Sequence, residues 1–260
     1  MLAVNAAIHI NMAILSLFIC FSFCSLLKRK NTKNVIRNLC TFAAHFKIAF
    51  MITKIVLTGG PCAGKTTTNE RIEEFFSKVG YAVFTLPEAP TLFIKAGADF
   101  LTQDRNLYFE IHKSMLRFLL QMEDSFLEIA KATGKPAIIV NDRGAMDISA
   151  YMTPGDWQRL LRETGHTEEE LMARYKAVFH LCTSAKGAPN SYTLSNNSAR
   201  MEETLAEAIA VDDNLIRAWQ SHPNLHLIQS EEYVKDKIDN VLFGISKELG
   251  IQDSVHDLIF

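Results

Sequence analysis

Residues 54–67 read K-I-V-L-T-G-G-P-C-A-G-K-T-T, and no other stretch limits the fold as strongly. A short, mostly β-branched run from Ile55 to Thr58 stops at Gly59. Gly59-x-x-x-x-Gly64-Lys65-Thr66 then fills every position of the phosphate-binding loop, or Walker A, pattern. Glycines without a Cβ let successive backbone N–H groups turn inward around a phosphate. Gly59, Gly60, Pro61, Cys62, Ala63 and Gly64 are therefore expected to form the cradle. Lys65 is placed to bring a mobile positive charge to β- and γ-phosphates, and the Thr66 hydroxyl to join a Mg²⁺ shell. Thr67 follows in the first turn of a helix whose free N–H groups favour bound anions. Eight-residue glycine patterns also arise by chance, so the context decides. Here a strand precedes the loop and an amphipathic helix follows it. Ile72, Phe75, Phe76 and Val79 recur at intervals of three and four, while Glu73, Glu74 and Lys78 face away.

The chain has 260 residues and is 48% hydrophobic, enough for one full α/β domain with residues to spare. Its charges are unevenly spread. Lys28, Arg29, Lys30, Lys33, Arg37, Lys47, Lys54 and Lys65 all precede Glu70, the first acidic residue, which leaves 19 of the 27 basic residues against all 29 acidic ones. So acidic a body argues against a general nucleic-acid binder, which needs a basic footprint for the phosphate backbone. Cys20, Cys24, Cys40, Cys62 and Cys182 have neither disulfide-framework nor metal-site spacing, and a reducing compartment is the simpler expectation.

Residues 1–50 read as a leader, 51–250 as the nucleotide-binding domain and 251–260 as a short tail. Within the leader, residues 12–27 (MAILSLFICFSFCSLL) carry no charge, and their length is near the lower limit for crossing a bilayer. The positive charges follow this run, whereas in a cleaved signal peptide they precede it. Three readings stand side by side. The segment is a single-pass anchor with the basic flank and nucleotide domain facing the cytosol, an organelle-targeting leader, or an over-extended start ahead of Met51.

Along the body, residues 81–86 read as a second strand closed by Pro87-Glu88. Glu88 thus stands at a strand's carboxyl end, where open α/β sheets place their ligands. Residues 89–95 form a short helix and 104–133 a long one, with Leu107, Ile111, Met115, Phe118, Met122, Phe126 and Ile129 as the apolar stripe. A third, apolar strand at 137–140 feeds Asn141-Asp142-Arg143-Gly144. Asp142 is the expected magnesium partner of Thr66, and Arg143 offers a bidentate grip on phosphate. Asp147 and Tyr151 follow on a helix that Pro154-Gly155 is expected to break. Thr167-x-x-Glu170 is a capping box opening a helix to Tyr175. Residues 177–182 form the fourth strand, in which His180 reads as a packed residue. The polar stretch 183–200 suits a loop closing over a triphosphate, with Arg200 and Lys186 reaching the transferred phosphate. A helix over 201–220, a fifth strand at 225–229 and a last helix capped by Ser230 complete the body.

Strand, phosphate loop, helix and four further strand–helix units make a parallel, five-stranded, three-layer α/β sandwich. The base remains open between ATP and GTP. No N-K-x-D stretch occurs, and Ser184-Ala185-Lys186 is only a weak likeness to a guanine-reading loop.

The chain resembles the AAA-like P-loop domain shared by the TRPL translocation defect protein and the kinase-like part of the bacterial NadR regulator. The matching pieces are residues 54–67, L-P-E-A at 86–89, N-D-R-G-A-M-D at 141–147, Y-T-L-S-N-N-S-A-R at 192–200 and H-P-N-L at 222–225. The resemblance implies the core of a nucleoside or nucleotide kinase, with Lys65 and Thr66 serving phosphate and metal, and Glu88, Asp142, Arg143 and Arg200 at the family's motif positions. Relatives commonly continue into a triphosphate-tunnel-like domain, and functions that need it are not expected of these residues. The combined expectation is Mg²⁺-dependent transfer from a purine nucleoside triphosphate to a small nucleoside-like acceptor, or hydrolysis. The rival is a nucleotide-gated regulatory protein with a protein or lipid partner.

Overall fold

The computed structural model describes residues 51–187, 204–230 and 233–259. The apolar run 12–27 and Arg200 lie outside these residues. The chain divides into two units, residues 1–50 and 51–260, and the account below concerns the second.

Five parallel strands, β1 (Ile52–Gly59), β2 (Ala82–Leu86), β3 (Ala137–Asp142), β4 (Ala177–Leu181) and β5 (Leu225–Ile228), lie in the order β2-β3-β1-β4-β5. Parallel neighbours require crossovers, and helices supply them: α1 (Lys65–Lys78), α2 (Ala89–Lys95), α3 (Arg105–Ala132), α4 (Pro154–Thr164), α5 (Glu168–Met172), α6 (Ser184–Gly187), α7 (Leu205–Trp219), α8 (Val234–Leu249) and α9 (Gln252–Ile259). A 3₁₀ helix spans Ala145–Tyr151.

Alternation along the strands sorts the core into two sides. Ile55, Leu57, Ile138, Val140 and Phe179 pack with Ile72 and Phe76 of α1 and Val241 and Ile245 of α8. Val56 and Val178 point the other way, onto Leu116 and Leu119 of α3, Leu160 of α4 and Trp219 of α7. Strands covered on both faces can be almost wholly apolar, which is how β1 and β3 read.

Several elements depart from the sequence reading. β3 runs two residues further than expected, so Asn141 and Asp142 belong to the strand. The buried face of α3 is wider than the single stripe. It includes Phe109, His112, Leu116, Leu119, Leu120 and Glu123, while Leu107, Phe118 and Ile129 are exposed. The helix packs on α4 and the 3₁₀ helix as well as on β2 and β3, which turns its inner face. Phe118 is half-covered by Phe93 of α2, with ring centroids 5.7 Å apart. Pro154 opens α4 instead of breaking a helix, because its fixed φ suits a first helical position and Thr153 Oγ1 accepts from Asp156 N. The Thr167 capping box is present, but α5 stops at Met172, before Tyr175. Ser230 does not cap α8, which starts at Val234 with Tyr233 at its N-cap and no capping side chain. The stretch read as a tail contains α9, whose Val255 and Ile259 are buried against α8. Among the described residues no helix is long and apolar enough to cross a membrane.

Candidate functional site

β1 lies between β3 and β4, so the chain's crossovers diverge at the carboxyl ends of these three strands. Ligands of open α/β sheets bind at such a point. The loop after β1 occupies it. Gly59 has φ 147°, and a Cβ there would lie 2.2 Å from Leu181 O, so strand β4 leaves no room for a side chain. Gly64 has φ 89° and turns the chain into α1, whose N-terminus has neither a capping side chain nor an acidic residue in its first turn. The first helical N–H groups lack intrahelical partners, and with nothing covering them they favour an anion. Cys62 also takes a left-handed conformation, φ 55°, which costs a non-glycine residue energy and bends the loop. Pro61 and Ala63 complete the curve. Lys65 reaches back to 3.4 Å from Gly59 O, and Thr66 and Thr67 are exposed on the first turn of α1.

Asp142 ends β3, paired in register with Leu57 of β1. Its Oδ2 accepts a long, 3.4 Å hydrogen bond from Asn69 Nδ2 on α1. Asp142 Oδ1 and Asn69 Oδ1 are both buried without a hydrogen-bond partner. Burial pushes the Asp142 carboxyl above its ordinary range; the Lys65 charge opposes this and Glu88 adds to it.

Arg143 follows in a left-handed conformation, φ 68°, with its N–H donated to Leu57 O at 3.1 Å. Its side chain forms an ion pair with Glu88, whose other oxygen accepts from Thr91 Oγ1 at 2.7 Å. Burial alone would raise the Glu88 carboxyl, but Arg143, Lys65 and Thr91 outweigh it and bring it down to about 2. Arg143 Nη1 is buried without a partner, and Tyr151 lies beside the guanidinium, 5.9 Å from Cζ to ring centroid. A narrow cleft adjoins this pair, lined by Arg143 and walled by Ala89, Met115, Leu119, Ile148 and Tyr151.

The turn carrying Arg143 is braced from below. Asp147 borders the cleft, but both its oxygens are engaged: Oδ1 accepts from Thr58 Oγ1 at 2.5 Å and Oδ2 from Gly144 N at 2.6 Å. Tyr175 Oη accepts from Ala145 N at 2.9 Å and donates to the buried Glu123 at 2.5 Å. Glu123 also pairs with Lys54 and Arg174, each at 2.8 Å. Lys186, expected to reach a phosphate, is held by Asp212 at 2.7 Å and Asp213 at 2.6 Å.

The structure thus brings Lys65, Thr66, Glu88, Asp142 and Arg143 to one end of the sheet. Sequence reasoning missed Asn69, Glu123, Tyr175 and Asp212. The signal for Glu123 and Asp212 was available, because each is a lone charge within an otherwise buried helix face. Nothing local marks Asn69 or Tyr175.

These features define a P-loop fold on a five-stranded parallel sheet. The chain belongs to the AAA domain family AAA_28, whose model matches residues 54–237. In fold it is similar to deoxyadenosine kinase from M. mycoides with bound dATP, at 16% identity and TM-score 0.50, over 75% of this chain and 100% of that one. The same kinase with products dCMP and a flexible dCDP bound has 16% identity and TM-score 0.49 at the same coverage, 75% of this chain and 100% of that one. No curated protein matches the chain in sequence.

Proposed function

We propose that residues 51–250 bind a purine nucleoside triphosphate, ATP or GTP, with Mg²⁺ and transfer its terminal phosphoryl group to a hydroxyl of a small nucleoside-like acceptor. The observation that carries this reading is the Glu88–Arg143 pair beside an apolar-walled cleft, at the same sheet end as the phosphate loop. A phosphate loop alone serves hydrolases and switches equally. A guanidinium lining a separate cleft, with its carboxylate partner beside it, gives a second substrate a side from which to approach.

In this reading Gly59–Thr67 hold the triphosphate, and Lys65 meets its β- and γ-oxygens. Thr66 and Asp142 hold the metal. The unpartnered Asp142 and Asn69 oxygens fit a hard cation, which takes oxygen ligands directly or through water. When bound, Mg²⁺ would supply positive charge that offsets the negative charge developing on the phosphate. The acceptor hydroxyl donates to Glu88, its oxygen bonds the terminal phosphorus, and the bond to the bridging oxygen breaks to leave the diphosphate. Glu88 is a weak base while Arg143 holds it near 2. A loose transition state tolerates this, because the nucleophile's proton leaves late. Glu88 then orients the hydroxyl more than it activates it, and Arg143, with Arg200 from outside the described residues, gathers phosphate charge. The likeness to the NadR kinase-like part makes nicotinamide riboside one acceptor to try.

The same weak base favours a second reading, a nucleotide-gated regulatory protein. Held at the membrane by residues 12–27 with its body in the cytosol, such a protein would engage a protein or lipid partner. One screen separates the two. Nucleosides, nucleotides and nicotinamide riboside are offered with ATP or GTP, and phosphorylated product is sought. Product that is lost in Lys65→Ala and reduced in Glu88→Gln supports transfer. No product, together with a partner or liposome bound in one nucleotide state alone, supports the switch.

A further inference from the structure

The second glycine of the phosphate loop is not required by backbone conformation, since Gly60, unlike Gly59 and Gly64, has no positive φ. What excludes a side chain there is Asp212. A Cβ on Gly60 would lie 2.8 Å from Asp212 Oδ1 and 2.9 Å from its Cβ. Asp212 sits on the buried face of α7, between Ala208 and Leu215, where an apolar residue would complete the packing. It is fully buried, and an uncompensated carboxylate at such a place is costly.

The compensation comes from the phosphate loop and its neighbour strand. Asp212 Oδ1 accepts from Gly60 N at 2.9 Å and Thr183 N at 3.2 Å, and His180 Nε2 lies 3.0 Å from it. Lys186 Nζ stands 2.7 Å from Oδ2. Thr183 Oγ1 donates to Pro61 O at 2.5 Å. Two consecutive loop residues, Gly60 and Pro61, are thus tied to the end of β4 through one carboxylate and one hydroxyl. Residues that are 152 apart in the chain meet at the Gly60–Asp212 bond. The carboxyl is accordingly low, about 2: burial would raise it, but His180, Lys186 and the Gly60 N–H hold it ionised. Lys186 beside it offsets its charge, so the carboxylate does not oppose an anion in the loop.

We infer that Asp212 is a positioning residue for the phosphate loop: it fixes the Gly60 peptide so that the following N–H groups keep the curvature that takes a triphosphate. The inference rests on the nucleotide-binding reading above. With the carboxylate gone, Gly60 loses its anchor and Thr183, whose amide the same carboxylate holds, grips Pro61 O less firmly, so the amides from Cys62 onward lose their common centre.

The test is equilibrium binding of labelled ATP and GTP with Mg²⁺ to the full chain, as wild type, Asp212→Asn, Asp212→Ala, Gly60→Ala and the double variant Gly60→Ala/Asp212→Ala. Circular dichroism at the assay temperature confirms that each protein is folded. A hydrogen bond to a charged group carries enough for Asp212→Ala to weaken triphosphate binding about 10- to 100-fold in folded protein, while Asp212→Asn, whose amide oxygen still accepts from Gly60 N, loses less. Gly60→Ala produces a comparable loss in the native background and a smaller one with Asp212→Ala, which removes the close Oδ1 and Cγ contacts and leaves only the one to Cβ. Such non-additivity marks a shared contact, and a purely structural role would lower the melting temperature without it. Wild-type affinity in folded Asp212→Ala, or losses that simply multiply, overturns the inference while leaving the nucleotide reading intact. Failure of the wild type to bind either triphosphate overturns that reading. If Asp212→Ala does not fold, Gly60→Ala alone decides, and unchanged affinity there sinks the inference.

Discussion

Glu88 and Arg143, 55 residues apart in the chain, form an ion pair across the carboxyl ends of β2 and β3. Their side chains are only 22% and 13% exposed, so solvent screens the pair weakly. Arg143 reaches it from a left-handed backbone position, and Thr91 holds the free Glu88 oxygen. Substrate chemistry and stability therefore meet at one contact.

The pair makes stability depend on pH. Glu88 titrates at about 2 when folded against an ordinary 4.5, so the unfolded chain binds the extra proton between those values. Its contribution, about 3 kcal/mol at full ionisation, is complete above pH 4.5 and drains away as pH falls toward 2. Urea unfolding of wild type and Glu88→Gln between pH 6 and pH 3.5 should show a flatter pH dependence in the variant. Parallel slopes would mean the carboxyl is not held low.

The same substitution separates chemistry from binding. Glu88→Gln should leave triphosphate affinity near wild type and reduce kcat for acceptor phosphorylation by less than the roughly 10²- to 10⁴-fold of a positioned general base, because the carboxylate orients the hydroxyl more than it activates it. An unaltered kcat removes Glu88 from the mechanism.

Gly144 offers a packing test. A Cβ would lie 2.6 Å from Val56 Cγ2 and 2.8 Å from Trp219 Cζ2, both within the core. Gly144→Ala should lower stability by about 1–3 kcal/mol through overpacking, measured by urea unfolding. Neutrality would show that Trp219 can move aside.

Tyr175→Phe removes the hydroxyl between Ala145 N and Glu123. It leaves a buried amide and a buried carboxylate oxygen short of a partner, which costs about 1–3 kcal/mol for each such group. Because that amide begins the turn after Arg143, acceptor KM should rise more than triphosphate KM. A stability loss with both KM values unchanged would confine Tyr175 to the scaffold.

Much of the fold was legible from residue order because its determinants are local. The phosphate loop depends on glycine spacing over eight residues, and the strands on short apolar runs such as residues 137–140. Likewise Asp104 caps α3 through amides two and three residues ahead. Glu88, Asp142 and Arg143 could be placed because each stands at or just beyond a strand's carboxyl end, and parallel strands bring such ends together. The buried face of α3 was misjudged because its width depends on α4 and the 3₁₀ helix, which only the tertiary arrangement sets against it. Asp212 and Glu123 were overlooked for a similar reason. The partners that make a buried charge tolerable, Gly60 for one and Lys54 for the other, are distant in sequence.

Whether the phosphate loop holds a triphosphate is tested most directly by equilibrium titration of labelled ATP and GTP with Mg²⁺ against wild type and Lys65→Ala. Saturable binding in the wild type, weakened on the order of 10- to 100-fold in folded Lys65→Ala by loss of a charged hydrogen-bond donor, is the expected result. Equal affinity in the two proteins would contradict it.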